Sequence, residues 1–225
     1  MKNSLARLLC TIALASSTLS AVSVVGYVNQ PWPADGYILI NNPLDNGTGN
    51  TVSDLFAGTP VGTRVQLWDS TANAYTSPTT KTALGWIGVD YDLFPGTGAR
   101  LYSPVAYTNT YVGEVLDGDG VPASEPFDPP SPFTGPDGTY LLGTILPTSV
   151  SGEDVFLWTL GRNPNAGEQF STLTYTTTYL GGGTWDNGAP SLSVAESAFF
   201  IIPEPTTFTL LGLGSLALVM VRRRK

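Results

Sequence analysis

Between residues 24 and 202 no apolar run holds a 3.6-residue period for longer than about two turns. Short runs rich in Val, Ile, Thr, Tyr and Trp are instead separated by Gly, Pro, Asn and Asp, and the chain holds 25 glycines and 18 prolines. Helices need an unbroken amphipathic stripe, whereas strands need only a few β-branched or aromatic residues between turns. This punctuation therefore predicts an all-β, antiparallel, sandwich-like body. Expected strands are Gly36 to Ile40, Thr63 to Trp68, Leu84 to Val89, Ala99 to Tyr102 and Val105 to Val115. The second half offers Tyr140 to Ile145, Asp154 to Leu160, Gln169 to Tyr179 and Leu192 to Ile201.

The halves echo each other. Gly62-Thr-Arg-Val-Gln-Leu-Trp68 aligns with Gly152-Glu-Asp-Val-Phe-Leu-Trp158, and Asp35-Gly-Tyr-Ile-Leu-Ile40 resembles Asp137-Gly-Thr-Tyr-Leu-Leu142. Gly85-Trp86 has a counterpart in Gly183-Thr-Trp185, and Ala99 to Tyr102 in Ala198 to Ile201. Two related β units, 24–120 and 134–202, follow from this reading. Residues 121–133 between them make a stiff, extended linker, with five prolines from Val121 to Pro132.

Composition narrows the chemistry. Charged residues make up 12% of the chain and histidine is absent, against about 25% charged in an average globular chain. Without histidine there is no Ser-His-Asp triad, no Cys-His dyad and no His-ligated metal. Six of the ten basic residues lie in the terminal segments, so residues 24–204 hold four bases against eighteen acids, 4 − 18 = −14. Such a body repels polyphosphates, which excludes nucleic acid as a partner. Paired carboxylates remain the one acid–base option. Asp90 and Asp92 share a strand face and Glu114 ends a long strand, but most acids sit in turn contexts such as Asp45-Asn-Gly, Asp137-Gly and Asp186-Asn-Gly. There an Asx hydrogen bond and a positive-φ glycine account for them. No catalytic residue is assigned, no cofactor is implied, and the body reads as non-enzymatic. Asp117-Gly-Asp-Gly120 is a fragment of a calcium loop, with Asp117 and Asp119 as candidate ligands, but Val121 and Pro122 follow where further oxygen ligands belong. Trp32, Trp68, Trp86, Trp158 and Trp185 could stack sugars; four lie in or beside expected strands, where core packing explains them. The alternative to a structural role is thus a carbohydrate- or calcium-binding β module.

The ends read as address labels. Lys2 and Arg7 precede an apolar stretch from Leu8 to Leu14, and small residues run from Ala15 to Ala21. This is the layout of a secretory signal peptide over residues 1–21, with cleavage expected at Ala21. Leu9 stands where lipid attachment at Cys10 would require a small residue, so lipidation is not expected. Cleavage removes Cys10, leaving an exported body that folds without disulfides. At the other end, Pro203-Glu204-Pro205 precedes an uncharged, mostly apolar run over 206–221 and then Arg222, Arg223, Arg224 and Lys225. Sixteen residues make a helix of about 24 Å, somewhat short of a hydrocarbon core of about 30 Å. Tilt and snorkelling arginine make up the difference. The terminal cations place the tail in the cytoplasm and the body outside.

This tripartite end resembles the PEP-CTERM protein-sorting signal of Gram-negative bacteria, a motif also described as the C-terminal domain of ice-binding proteins. The resemblance covers about a tenth of the chain. It implies recognition by an exosortase-like membrane protease or transpeptidase, cleavage near Pro203 to Pro205, transient inner-membrane anchoring, and delivery to the cell surface or an exopolysaccharide matrix. The prolines suit that role, since they stop helix from extending through the motif. Ser171-Thr-Leu-Thr-Tyr-Thr-Thr-Thr-Tyr179 occurs once and lacks the regular Thr-x-Thr ladder of an ice-matching face, so ice binding belongs to the label on the tail.

Overall fold

The computed structural model describes residues 25–47, 49–116, 133 and 135–203. The first half contains β1 (Val25–Trp32), β2 (Gly36–Asn41), α1 (Val52–Leu55), β3 (Arg64–Asp69), β4 (Ala74–Tyr75) and β5 (Thr79–Thr82). It continues with β6 (Gly85–Ile87), β7 (Gly98–Ser103) and β8 (Tyr107–Glu114). The second half contains β9 (Gly138–Gly143), β10 (Val150–Ser151), α2 (Asp154–Leu160), β11 (Gln169–Ser171) and β12 (Thr176–Gly181). It ends with β13 (Thr184–Trp185), β14 (Ser191–Leu192) and β15 (Ser197–Ile202). Every strand pairing among the described residues is antiparallel, so the fold is all-β. The expected signal peptide, the stretch 206–221 and nearly all of the linker lie outside the described residues.

Three expected strands take another form. Asp154 to Leu160 is the helix α2, not a strand. Its buried residues Val155, Phe156 and Leu160 lie on one helical face, Asp154 sits in the first turn, and Gly161 closes it in the left-handed conformation with φ 68. A run of five apolar residues in seven carries too little periodicity to separate helix from strand. Gln169 to Tyr179 folds into the hairpin β11–β12, whose turn is held by the Thr172 hydroxyl accepting the N–H groups of Thr174 and Tyr175, both at 3.2 Å. Leu192 to Ile201 breaks at Ala195, where φ is 62.

The two main sheets share one topology. Their strand orders are β2-β7-β3-β5-β6 and β9-β15-β11-β12-β13: in each, the earliest strand pairs with the latest, beyond which the remaining three follow in chain order. The registers match as well. Ile38↔Leu101↔Val65↔Thr79 in the first half corresponds to Tyr140↔Phe200↔Phe170↔Thr177 in the second. Thr79 and Thr177 are both buried, and their hydroxyls donate to the carbonyls of Val89 and Gly188. Gly62 and Gly167 have φ of 96 and 95, and their N–H groups donate to the equivalent carbonyls of Lys81 and Tyr179. Three of the four sequence echoes fall on equivalent strands. The fourth does not: Gly62 to Trp68 leads into and along β3, whose counterpart is β11, while Gly152 to Trp158 leads into α2.

The halves meet through a junction with internal two-fold character. Asn41 N–H donates to Ala195 O at 2.8 Å, and the equivalent Gly143 N–H donates to Gly96 O at 2.9 Å. Bridges pair Ile40 with Glu196 and Leu142 with Thr97, again as equivalents. Each patch thus contacts its counterpart reciprocally, as in an isologous dimer interface. The approach is close: the Asn41 amide occupies the space a Cβ on Gly143 would fill, and a Cβ on Gly98 would lie 2.6 Å from Leu141 O. Gln30 adds a buried hydrogen bond to Ala195 O at 2.7 Å. Two apolar clusters flank this junction, one built on Ile40, Phe56, Val65, Leu101 and Tyr111, the other on Phe156, Leu160, Phe170 and Phe200.

Candidate functional site

The C-terminal exit is set by β15, which is paired on both sides, with β9 and with β11, through to Ile202 and Ile201 respectively. Its Phe200 is fully buried. Pro203 follows, exposed, and lacks the N–H that a further ladder bond would need. Pro203 lines a shallow surface pocket together with Asp137, Arg162, Asn165 and Glu168. Within it, the Arg162 guanidinium donates to both Glu168 oxygens at 2.8 and 3.0 Å, and Asn165 adds its backbone N–H at 3.0 Å and its amide at 3.1 Å. Glu168 is 2% exposed. Burial works to raise its pKa, but the Arg162 and Asn165 donors and the Arg162 charge outweigh it, and the carboxyl titrates below its usual range. Glu204, Pro205 and Arg222 to Lys225 lie outside the described residues, as do Asp117 and Asp119.

The carboxylates of Asp90, Asp45 and Asp186 are committed to local structure, while Asp92 and Glu114 are held through their backbone. Asp90 accepts the Ser53 backbone N–H at 2.9 Å and the Ser53 hydroxyl at 2.6 Å, serving the first turn of α1. Asp92 bridges to Thr51, and Glu114 exchanges two backbone hydrogen bonds with Asp45 at 2.7 and 2.9 Å. Asp45 accepts Gly47 N–H at 2.8 Å, the Asx turn expected of Asp45-Asn-Gly. Asp186 accepts the N–H of Thr178 at 2.6 Å, and that bond is the main cause of its lowered pKa. Among the described residues no group of three or more metal-ligating side chains is gathered.

The tryptophans pack. Trp32 is 2% exposed, and Trp68, Trp86, Trp158 and Trp185 are half-buried. Trp185 lies against Tyr179 and Phe156 at 4.9 and 5.6 Å, and Trp32 meets Phe56 edge-on at 5.6 Å.

A groove of about 710 Å³ lies between the halves. Sequence reasoning missed it. Its rings are Tyr37 from β2 and Tyr175 from the β11–β12 turn; hydroxyls come from Thr172, Ser191 and Ser193, and a carboxylate from Glu196. Tyr37 points away from the core because its neighbours Ile38 and Ile40 point in, and it is 46% exposed. Arg100 lies over its ring at 4.8 Å and Tyr102 beside it at 5.3 Å, which fixes its position. Tyr175 OH accepts Ser191 N–H at 3.3 Å, and Glu196 accepts Ser193 N–H at 3.0 Å. The alternation of β2 announces an outward Tyr37, but nothing local announces that the opposite half leaves it uncovered.

No curated protein and no solved structure matches the chain. Among the described residues no helix is long and apolar enough to cross a membrane. The PEP-CTERM protein-sorting motif matches at residues 202–225, beginning at Ile202, the last residue of β15. That match implies export by an exosortase-type sorting system, with an exosortase-like processing partner and delivery to the cell surface. Residues 202–225 identify this chain as one that carries a PEP-CTERM protein-sorting motif at its C-terminal end.

Proposed function

We propose that this is an exported, non-enzymatic interaction protein, held in transit by its C-terminal segment and released by an exosortase-like enzyme to the cell surface or an exopolysaccharide matrix. The observation that carries the reading is the position of the sorting motif, which starts where the last strand ends. A body folded up to Ile202 leaves Pro203-Glu204-Pro205 as the first segment beyond the ladder, available to a membrane enzyme while the body stays folded. The signal peptide over 1–21 starts export, the 206–221 stretch anchors the chain, and Arg222 to Lys225 stop it with the body outside. The carboxylates support the non-enzymatic part, since Asp90 and Asp186 are spent on backbone and hydroxyl donors.

Replacing Pro203, Glu204 and Pro205 with alanine in producing cells tests the reading. The expected result is a chain that folds but accumulates in the inner-membrane fraction, with at least a tenfold loss of surface-exposed protein. Surface protein at the original level would overturn it.

A further inference from the structure

We propose that the groove over Tyr37 binds an uncharged oligosaccharide. The proposal rests on the reading of the body as an interaction module and names the ligand class of one site on it.

The groove exists because the two halves differ in one hairpin. From Val65 to Thr79 the chain runs 79 − 65 = 14 positions, whereas between their equivalents Phe170 and Thr177 it runs 177 − 170 = 7. The longer hairpin in the first half reaches across to the second. Its Trp68 donates the indole N–H to Thr139 O at 2.8 Å and stands edge-on to Phe199 at 5.0 Å, with Tyr75 at 6.2 Å from the same ring. Thr139 is the register equivalent of Tyr37, and Phe199 that of Arg100. The internal two-fold therefore calls for a hairpin over Tyr37 as well, Arg100 being already covered by Tyr75 of the first half's own hairpin at 3.6 Å. The second half's hairpin stops seven residues short, at the turn holding Tyr175, and the uncovered space is the groove. At the filled position the occupant is a flat ring with an N–H donor at its edge.

The lining selects among ligands. Tyr37 and Tyr175 offer ring surface, while Thr172, Ser191, Ser193 and Glu196 offer hydroxyls and a carboxylate. No Lys or Arg is among the lining residues; Arg100, over the Tyr37 ring at 4.8 Å, is engaged by the Tyr75 ring at 3.6 Å and donates to the Gln66 amide oxygen, and the net −14 of residues 24–204 repels a phosphate, sulfate or uronate at longer range. A purely apolar ligand would strip water from Glu196 and the hydroxyls without replacing those bonds. A pyranose meets both demands, with C–H faces for the tyrosine rings and hydroxyl edges for the polar rim. The volume falls within the range of about 300–1,000 Å³ typical of small-ligand sites.

The test is isothermal titration of the mature full chain with cello-, xylo-, malto- and N-acetylchitohexaose, and with an oligogalacturonate as the anionic counterpart. At least one neutral hexaose binds and the oligogalacturonate does not. Tyr37→Thr, which installs the residue the second half carries at this position, weakens binding at least tenfold. Leu173→Trp, filling the groove from an exposed position on its rim, does the same while Tm stays within a few degrees, which excludes loss of fold as the cause. Silence from every neutral hexaose overturns the proposal, as does undiminished binding by both variants or equal binding of the oligogalacturonate. Any of these with normal surface delivery removes the groove while leaving the sorting account standing.

Discussion

Phe200→Ala lowers the unfolding free energy by about 3–5 kcal/mol, the cost of emptying a large aromatic from a packed core. Phe200 is fully buried on the interior strand β15 and stands nearly perpendicular to Phe156 and Phe170, at 5.1 and 5.7 Å. Its loss removes apolar burial and two edge-to-face contacts, each worth about 0.5–1.5 kcal/mol beyond area. It also leaves a cavity among rings too constrained to collapse. Leu180 serves as the control: it is 58% exposed, and Leu180→Ala changes stability by no more than about 0.5 kcal/mol. Urea unfolding of the three proteins measures both values. A Phe200→Ala loss under about 1 kcal/mol would mean that the second core does not pack as described.

Arg162→Ala produces the largest electrostatic effect. Glu168 is 3% exposed at its side chain and Arg162 25%, so removing the guanidinium strands a buried carboxylate on the two Asn165 donors. The loss is about 2–4 kcal/mol at neutral pH, below the range of about 3–5 for a fully buried pair because Arg162 is partly solvated. The pH dependence follows from the lowered Glu168 pKa. A carboxyl whose folded pKa lies below its unfolded value binds fewer protons in the native state. Its stabilisation is complete above the unfolded pKa and disappears as pH falls through the folded value. In the parent protein this contribution therefore fades below the ordinary carboxyl range. Without Arg162 the folded carboxyl protonates more readily, so the gap between variant and parent narrows in the same acid window. Unfolding at pH 7 and pH 3.5 checks both statements, and a gap that stays constant would contradict them. Arg162→Leu combined with Glu168→Gln recovers much of the loss, since it removes the stranded charge.

Strand identity was legible where residues alternate or a turn is marked. Asp35-Gly and Asp137-Gly each open a strand, and the Ala99 and Ala198 segments each form the latest strand of their sheet. Helix α2 was illegible because Val-Phe-Leu-Trp satisfies either period, and the decision fell to Gly161 and to burial of Val155, Phe156 and Leu160. Three of the letter echoes coincide with equivalent strands and one does not. Gly62-Thr-Arg-Val matches Gly152-Glu-Asp-Val by letters, yet its register partner is Gly167-Glu-Gln-Phe. A shared φ near +95 at Gly62 and Gly167 outlasts side-chain identity, because backbone conformation constrains glycine while the sheet asks only for a residue that fits its face. The sorting motif was fully legible, since Pro203-Glu204-Pro205, an apolar stretch and terminal cations act as linear sequence. The groove was not: it depends on a hairpin seven residues shorter than its counterpart, which only the matched registers reveal.

On the proposed sorting route both ends are addresses removed on the way to the surface. Intact mass of the protein recovered from the surface of cells that possess an exosortase tests it most directly. The expected species lacks Met1 to Ala21 and ends within Pro203 to Pro205, with any added group appearing as extra mass on that new end. A surface species that still carries Arg222 to Lys225 would contradict it.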